Sequence, residues 1–159
     1  MKIDIGMSQK GLKEVAEGLS DFLADTYSLY LKTQNFHWNI VGPDFYALHI
    51  LFEKHYENMA EGIDEIAERI RALGQFAEGS FSAFKKRSSI KEETKAVKAE
   101  KMITKLIEGH ELISRNGRKL IKEAQGHHDE ITVDLIIKRL GFHEKAAWML
   151  RSHLEKIQK

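Results

Sequence analysis

Two histidines flank the only proline of the chain, in the segment QNFHWNIVGPDFYALHILFE. His37 precedes Trp38, and His49 lies twelve residues later and four residues before Glu53. A separation of four residues places His49 and Glu53 on one face of a helix. Imidazole and carboxylate ligands suit Fe(II), Mn(II) or Zn(II). A single helical histidine is more often a structural residue, so a metal site requires further ligands nearby.

A second pair of acidic residues follows on the same predicted helix. Asp64 and Glu68 are also four residues apart, and eleven residues, about three helical turns, separate Glu53 from Asp64. The side chains from His49 to Glu68 therefore follow one stripe, which apolar residues surround: Leu48, Leu51, Phe52, Ile63, Ile66, Ala67 and Ile70. Charges beside apolar neighbours require a partner or a metal ion, because unpaired burial is costly. His55 belongs to neither pair and is interpreted as structural.

Distance limits how these ligands can combine. His49 and Glu68 are 19 residues apart, which corresponds to about 28 Å along a helix. Metal–ligand bonds are only about 2 Å long, so one ion cannot contact both. Either the helix carries two unrelated half-sites, or two antiparallel copies about a two-fold axis complete each half-site. His37 could join the end that carries His49.

A di-iron site within one chain is not supported. Such sites in helical bundles use Glu-x-x-His pairs. None of the eight histidines has a glutamate three residues before it.

Helical periodicity occurs in four segments, which must position these residues. They run from Ser8 to about Trp38, from Asp44 to Leu73, from Ser89 to about Ala124, and from Asp129 almost to the end. Ser8 and Asp129 are predicted N-caps, Ser89 with Glu92 has the spacing of a capping box, and Gly74 suits a helix end. Between positions 74 and 88 we expect a loop with a short helical turn.

These segments predict an all-α four-helix bundle in a single domain, residues 1–159, with the long crossover between helices two and three. That arrangement is the ferritin-like topology. The chain has no cysteine, which excludes disulfides and thiolate metal sites. Its net charge is +1, which gives no overall attraction to nucleic acid or membranes. Without a long apolar run, we expect a cytoplasmic protein that does not bind membranes.

The segment from Lys32 to Ile70 resembles the signature of the Dps family, the miniferritins that protect DNA in starved or oxidatively stressed bacteria. The motifs are NFHW, LH twelve residues on, and D-x-x-x-E-R; the closing HEKAAWMLRSHL is also similar. The resemblance implies a dodecameric shell with a short extra helix in the crossover of each subunit. It implies that Fe(II) is oxidised at two-fold interfaces, preferably by hydrogen peroxide, and that the ferric mineral is stored inside the shell. It also implies that no organic cofactor is needed.

Carried over by residue, the resemblance assigns the catalytic metal ligands to two subunits. His37, His49 and Glu53 would come from one subunit, and Asp64 and Glu68 from its two-fold mate. Many family members have aspartate at the position of Glu53, so the second iron position and a di-iron centre stay open.

Three further residues have candidate roles, and two of them have an alternative interpretation. Trp38 would trap a stray oxidising equivalent beside His37, or simply fill an aromatic core or interface. Asp129 and Asp134 resemble acidic residues that line three-fold pores of the family, whereas Asp129 also suits a helix cap.

Few basic residues are available for DNA binding. The segment before the first helix offers Lys2 and Lys10, the C-terminus adds Lys156 and Lys159, and positions 85–87 form a KKR run. Because the affinity for DNA increases with the number of phosphates that a protein neutralises, we expect weak DNA binding or none. Many copies of a weak site on one shell could still associate with the nucleoid, and this possibility stays open. The alternative function is a non-catalytic shell that compacts DNA.

Overall fold

Five helices make up the fold: α1 Gln9–Asn39, α2 Phe45–Ala72, α3 Phe81–Arg87, α4 Ala99–Gly126 and α5 Glu130–Ser152. This computed structural model describes residues 3–154, and none of them forms a β-strand. The long helices pack as a bundle, in which α1 contacts α2 and α4, and α5 contacts α4 and α2. The short α3 lies in the crossover and rests on α1. The predicted ferritin-like bundle with an extra crossover helix is therefore confirmed.

Local signals set most helix ends. The side chain of Ser8 accepts a hydrogen bond from the Gly11 amide (3.0 Å), and that of Asp129 accepts one from the Thr132 amide (2.9 Å). Both satisfy a donor that a helix start leaves free, as the sequence predicted. Gly74, with φ +82°, follows α2, because a left-handed residue at this position favours glycine.

The predicted start of the third long helix is wrong. α4 begins at Ala99 rather than at Ser89. The Ser89 amide donates instead to the carboxylate of Asp25 in α1 (2.6 Å), and the Glu93 side chain accepts from the Lys95 amide (3.1 Å). Such bonds compete with helix formation. The charged run KEETKAVK also offers little apolar surface for a helix to bury.

The hydrophobic core extends along the whole bundle, and buried side chains of α2 hold this helix against the others. Phe52, Met59, Ile66 and Ile70 of α2 are completely buried, and burying each such side chain stabilises the fold by about 1.5–3 kcal/mol. Gly62 lies between them, against Arg139 of α5; a Cβ atom at Gly62 would lie 2.5 Å from the guanidinium carbon.

Candidate metal centre

His37, near the end of α1, and His49, near the start of α2, face each other. Their rings stack with centroids 3.8 Å apart. The Nδ1 atom of each histidine lies within hydrogen-bond distance of the other's backbone carbonyl oxygen, at 2.9 and 3.0 Å. A carbonyl oxygen can only accept, so each Nδ1 carries the proton and donates. With the proton on Nδ1, Nε2 is the ring nitrogen that can bind a metal ion.

Aromatic side chains hold this histidine pair from both sides. Phe45 stacks on His49 (5.1 Å between centroids), and the ring of Tyr56 meets that of His37 edge-on (5.2 Å, 78°). Burial, followed by the charges of Glu53 and Glu57, raises the pKa of Tyr56, so its phenol keeps its proton at neutral pH. Glu53 lies one turn after His49 and is half-buried.

Asp64 and Glu68 lie further along α2 and are exposed. Neither forms a salt bridge within residues 3–154. In this part of the chain, no three His, Asp or Glu side chains form a group able to hold a metal ion. A single chain thus carries the His37–His49 pair and the Asp64–Glu68 carboxylates as separate groups.

No role was predicted for Arg69, although it closes the D-x-x-x-E-R motif. Its Nη2 donates to Asp129 (2.6 Å) and its Nε donates to the Thr132 hydroxyl (3.0 Å). These bonds tie the part of α2 that carries Asp64 and Glu68 to the start of α5. Arg69 directly follows Glu68, and adjacent residues point to different sides of a helix. This difference in direction was the only sign in the sequence that Arg69 contacts another part of the molecule than the Asp64–Glu68 carboxylates do.

The two pore candidates have different surroundings. Asp129 is 2% exposed, and both its carboxylate oxygens accept hydrogen bonds. Asp134 is exposed on the next turn. The cap role of Asp129 is confirmed, and a pore role for either residue stays a prediction.

Trp38 points away from the bundle and is 62% exposed. It lines a groove of about 460 Å³ together with Tyr27 and Phe84, among others. Its role as an electron trap stays a prediction.

Large apolar side chains are exposed around the histidine pair. Trp38, Val41, Phe45 and Tyr46 are 62%, 76%, 44% and 76% exposed. A second set lies on α5 and consists of Ile131, Ile137, Trp148 and Met149. Apolar surfaces of this kind are typical of protein–protein interfaces.

The predicted basic patch at positions 85–87 is partly neutralised. Arg87 forms ion pairs with three carboxylates, those of Glu17, Asp21 and Glu78, and Lys85 pairs with Glu92 (3.2 Å). Lys2, Lys156 and Lys159 lie outside the described residues. Between residues 3 and 154, no helix has the length and apolar character needed to cross a membrane.

A second histidine group lies in the core, away from this centre. The ring of His110 contacts those of His55 (5.6 Å) and His143 (5.1 Å). Burial lowers the pKa of His55 to about 4 and that of His143 to about 3, and it holds the pKa of His110 well below its usual value. The three rings are therefore neutral at physiological pH.

Comparison with known proteins places the chain in a family. The model of the ferritin-like domain matches residues 16–159. An uncharacterized low temperature-induced protein of Nostoc is 39% identical, over 97% of this chain and 87% of that protein. The DNA protection during starvation protein of Porphyromonas gingivalis is 38% identical, over 95% of each chain. The Vibrio cholerae Dps crystal structure, described as a member of the ferritin-like diiron-carboxylate superfamily, superposes with a TM-score of 0.92 at 31% identity, over 98% of each chain. The chain belongs to the Dps family of ferritin-like proteins.

Proposed function

We propose that this protein is a ferroxidase and iron-storage protein that oxidises Fe(II) at sites shared by two subunits. The observation that carries the proposal is the reciprocal hydrogen bonding of His37 and His49. It leaves the Nε2 atom of each ring available as a ligand, and no group of three His, Asp or Glu side chains within the described residues closes a metal site.

A second copy of the chain supplies the missing donors. In an antiparallel pairing of two α2 helices, the partner subunit's Asp64 and the partner subunit's Glu68 complete the set with His37, His49 and Glu53. The exposed apolar side chains around the histidine pair give such a pairing an interface. Imidazole with hard carboxylate oxygens suits Fe(II), and the oxygens also suit the ferric product.

Iron is the substrate of the reaction. Two Fe(II), one hydrogen peroxide and two protons give two Fe(III) and two water molecules. Because the iron pair supplies both electrons, peroxide is reduced to water without release of hydroxyl radical. The ligands hold the two ions side by side, and the shell, which we propose to be a dodecamer of single-domain subunits, stores the ferric product. Removal of Fe(II) and peroxide together would protect DNA.

Two single variants, followed by oligomers that mix them, test the proposal. We expect His37→Ala and Asp64→Ala each to lower peroxide-dependent Fe(II) oxidation, followed by ferric absorbance, to the rate without protein. The control His153→Ala, at an exposed position directly after the end of α5, should oxidise iron normally.

Co-expression of the two inactive variants then tests whether the site is shared. Random pairing about a two-fold axis leaves about a quarter of the sites with all their ligands, so about a quarter of the wild-type rate should return. A site built within one chain would give no recovery, and oxidation at the wild-type rate in both single variants would refute the ferroxidase function.

DNA contact is expected to be weak. Two of the three cations at positions 85–87 have carboxylate partners, so few phosphates are neutralised per subunit. Retention of plasmid by the intact oligomer in a gel-shift at about 150 mM salt would favour the alternative, a DNA-compacting shell.

A further inference from the structure

A groove between α4 and α5 combines charged walls with a base of small side chains. Three arginines and two glutamates line it, and the buried side chains of Ser114 and Ala147 lie at its base. Its volume is about 300 Å³, at the lower end of the range of about 300–1,000 Å³ that is typical of ligand pockets. The groove therefore suits a small, polar ligand.

Two ion pairs cross the groove and leave part of each guanidinium free. Arg118 donates to Glu144 (2.6 Å), and Arg151 donates to Glu111 (2.7 Å). Glu111 and Arg118 lie two helical turns apart on α4, so the two ion pairs are about 10 Å apart along the groove. Arginine has five N–H donors, and Arg118 uses one more of them, to the Ser114 carbonyl oxygen (3.3 Å). Both arginines therefore keep N–H groups for a ligand.

The third arginine gives the groove its excess of positive charge. Arg115 is exposed, and it forms neither a salt bridge nor a side-chain hydrogen bond within the part of the chain that the structure describes. Three positive side chains against two negative ones leave a net charge of +1 in the lining. A positive groove with an unpaired guanidinium attracts anions rather than cations.

The hydroxyl of Ser114 points to a ligand independently of the arginines. Ser114 is 7% exposed, and its Oγ atom has no hydrogen-bond partner among the described residues. The other buried hydroxyls in helix interiors, those of Ser20, Thr26 and Thr33, each donate to the carbonyl oxygen four residues earlier at 2.8 Å. A buried hydroxyl without a partner costs about 1–3 kcal/mol. A ligand at the base of the groove would satisfy it.

We propose that this groove binds a phosphate group, either as free phosphate or as part of a nucleic-acid backbone. Arginine binds phosphate oxygens in pairs through its planar guanidinium. Arg115 offers its whole guanidinium, Arg118 and Arg151 offer their remaining N–H groups, and the Ser114 hydroxyl donates from the base. A carboxylate has only two oxygens and would leave several of these donors without a partner.

The bound phosphate links α4 to α5 and therefore affects stability. Because the groove exists only in the folded chain, its ligand stabilises the fold. None of the groove residues is a proposed iron ligand, so the inference is independent of the ferroxidase function.

Isothermal titration calorimetry of the intact, iron-free oligomer with inorganic phosphate tests the inference. We expect saturable binding of one phosphate per subunit. Arg115→Gln should weaken it by roughly ten-fold, which corresponds to the loss of one charged hydrogen bond, and Arg115→Lys should weaken it less. The matched control is Arg71→Gln, which removes an exposed arginine of α2 and should leave the affinity unchanged.

Ser114→Ala separates ligand binding from a structural role of the hydroxyl. In phosphate-free buffer its Tm should be at least that of the wild type, because the hydroxyl has no partner to lose. The affinity for phosphate should fall several-fold, and the rise in Tm that phosphate causes should shrink accordingly. A purely structural hydroxyl would instead lower the Tm without phosphate and leave the affinity unchanged, and this result would overturn its role in the site.

A short DNA duplex distinguishes the two sources of the phosphate group. If the groove takes free phosphate, the duplex should not compete with it. Displacement of phosphate by the duplex, lost in Arg115→Gln, would assign the groove to a nucleic-acid backbone.

Three results would overturn the inference. They are no saturable binding of either phosphate or the duplex, equal binding of acetate at the same ionic strength, and an unchanged affinity in Arg115→Gln. Arg115→Gln should oxidise Fe(II) at the wild-type rate, so failure of the phosphate site leaves the proposed function intact. A wild type that binds phosphate but does not oxidise iron would overturn the ferroxidase function alone.

Discussion

Two histidine groups in the same bundle differ in how their ring nitrogens are satisfied. His37 and His49, at the junction of α1 and α2, each donate from Nδ1 to a backbone carbonyl. In the core, the buried Nδ1 of His55 and the buried Nε2 atoms of His110 and His143 have no hydrogen-bond partner among the described residues. The first pair has its orientation fixed by the backbone, and the Nε2 atom of each ring has no hydrogen-bond partner among the described residues. The second group is enclosed by apolar packing.

The core group is suited to neutral rings. The Nδ1 atoms of His110 and His143 lie 2.8 Å apart, and a hydrogen bond between them requires one to carry a proton and the other to accept it. Arg139 is 3% exposed, lies over the ring of Phe142 (5.0 Å), and its positive charge helps to lower the pKa values of His110 and His143. This charge also opposes a bound cation. Histidine is thus a proposed ligand at one place and a packing residue at the other because of its surroundings.

The largest expected effect is a loss of Fe(II) oxidation when a histidine of the first pair is replaced. His49→Ala should lower Fe(II) oxidation to the background rate, because it removes one Nε2 ligand and the hydrogen bond to the His37 carbonyl. The free energy of unfolding should change by less than about 1 kcal/mol, as for other residues outside the core. Stopped-flow absorbance and urea unfolding measure the two quantities. Retained activity would remove His49 from the proposed ligand set.

The next largest effect is a loss of stability, without a loss of Fe(II) oxidation, when a core histidine is replaced. His110→Ala should lower the free energy of unfolding by about 2–4 kcal/mol, because it leaves a cavity in the closed core and deprives His143 of its partner. Iron oxidation per folded subunit should stay close to that of the wild type. Loss of oxidation without loss of stability would show that the core histidines take part in the chemistry.

The core histidine group should make the stability of the fold depend on pH. The folded-state pKa values of His55 (about 4) and His143 (about 3) lie below the ordinary histidine pKa of 6.5, so the unfolded chain binds more protons between these values. Their neutral forms therefore stabilise the fold fully above about pH 6.5, and this contribution is lost as the pH falls. The loss is about 1.4 kcal/mol per pH unit and per histidine.

Urea unfolding at a series of pH values checks this expectation. His55→Leu should reduce the slope of stability against pH below 6.5, whereas the exposed control His153→Gln should leave it unchanged. Equal slopes in all three proteins would assign the acid sensitivity to carboxylates instead.

The smallest effect concerns the aromatic support of the surface pair. Phe45→Leu removes the ring that stacks on His49 and should cost less than about 1 kcal/mol, because Phe45 is partly exposed. Iron oxidation should fall by only a few-fold, since the carbonyl bonds still orient both rings. A complete loss of activity, measured with the same absorbance assay, would mean that the stacking ring rather than the backbone positions His49.

Local patterns predicted the features that depend on local contacts. The caps at Ser8 and Asp129, the break around Pro43 and the long crossover follow from neighbouring residues, and they are present. The start of α4 was misplaced because Ser89 binds Asp25, far away in the chain, and no local pattern reports that contact.

In the candidate site, too, local patterns predicted some features and missed those that depend on contacts distant in the chain. Residue types and helical spacing pointed to the ligand positions, and the resemblance to the family assigned them. The reciprocal bonds of His37 and His49 depend on how the loop at Pro43 returns α2 to α1, which spacing does not reveal. The roles of His110 and His143 had an available signal, since each continues an apolar stripe: Ile103 and Leu106 precede His110, and Ile136 and Leu140 precede His143. Histidine on such a stripe indicates core packing.

The close approach of Arg139 to Gly62 has a consequence for symmetry. Gly62 lies on α2 between Glu53 and Asp64, so each copy of this helix would lend its two ends to two different centres. A Cβ atom at position 62 would lie 2.5 Å from the guanidinium carbon, so the end of the Arg139 side chain would have to shift. Any displacement of α2 that accompanied this shift would be shared by both proposed centres of a pair, because each centre depends on the same helix of both copies.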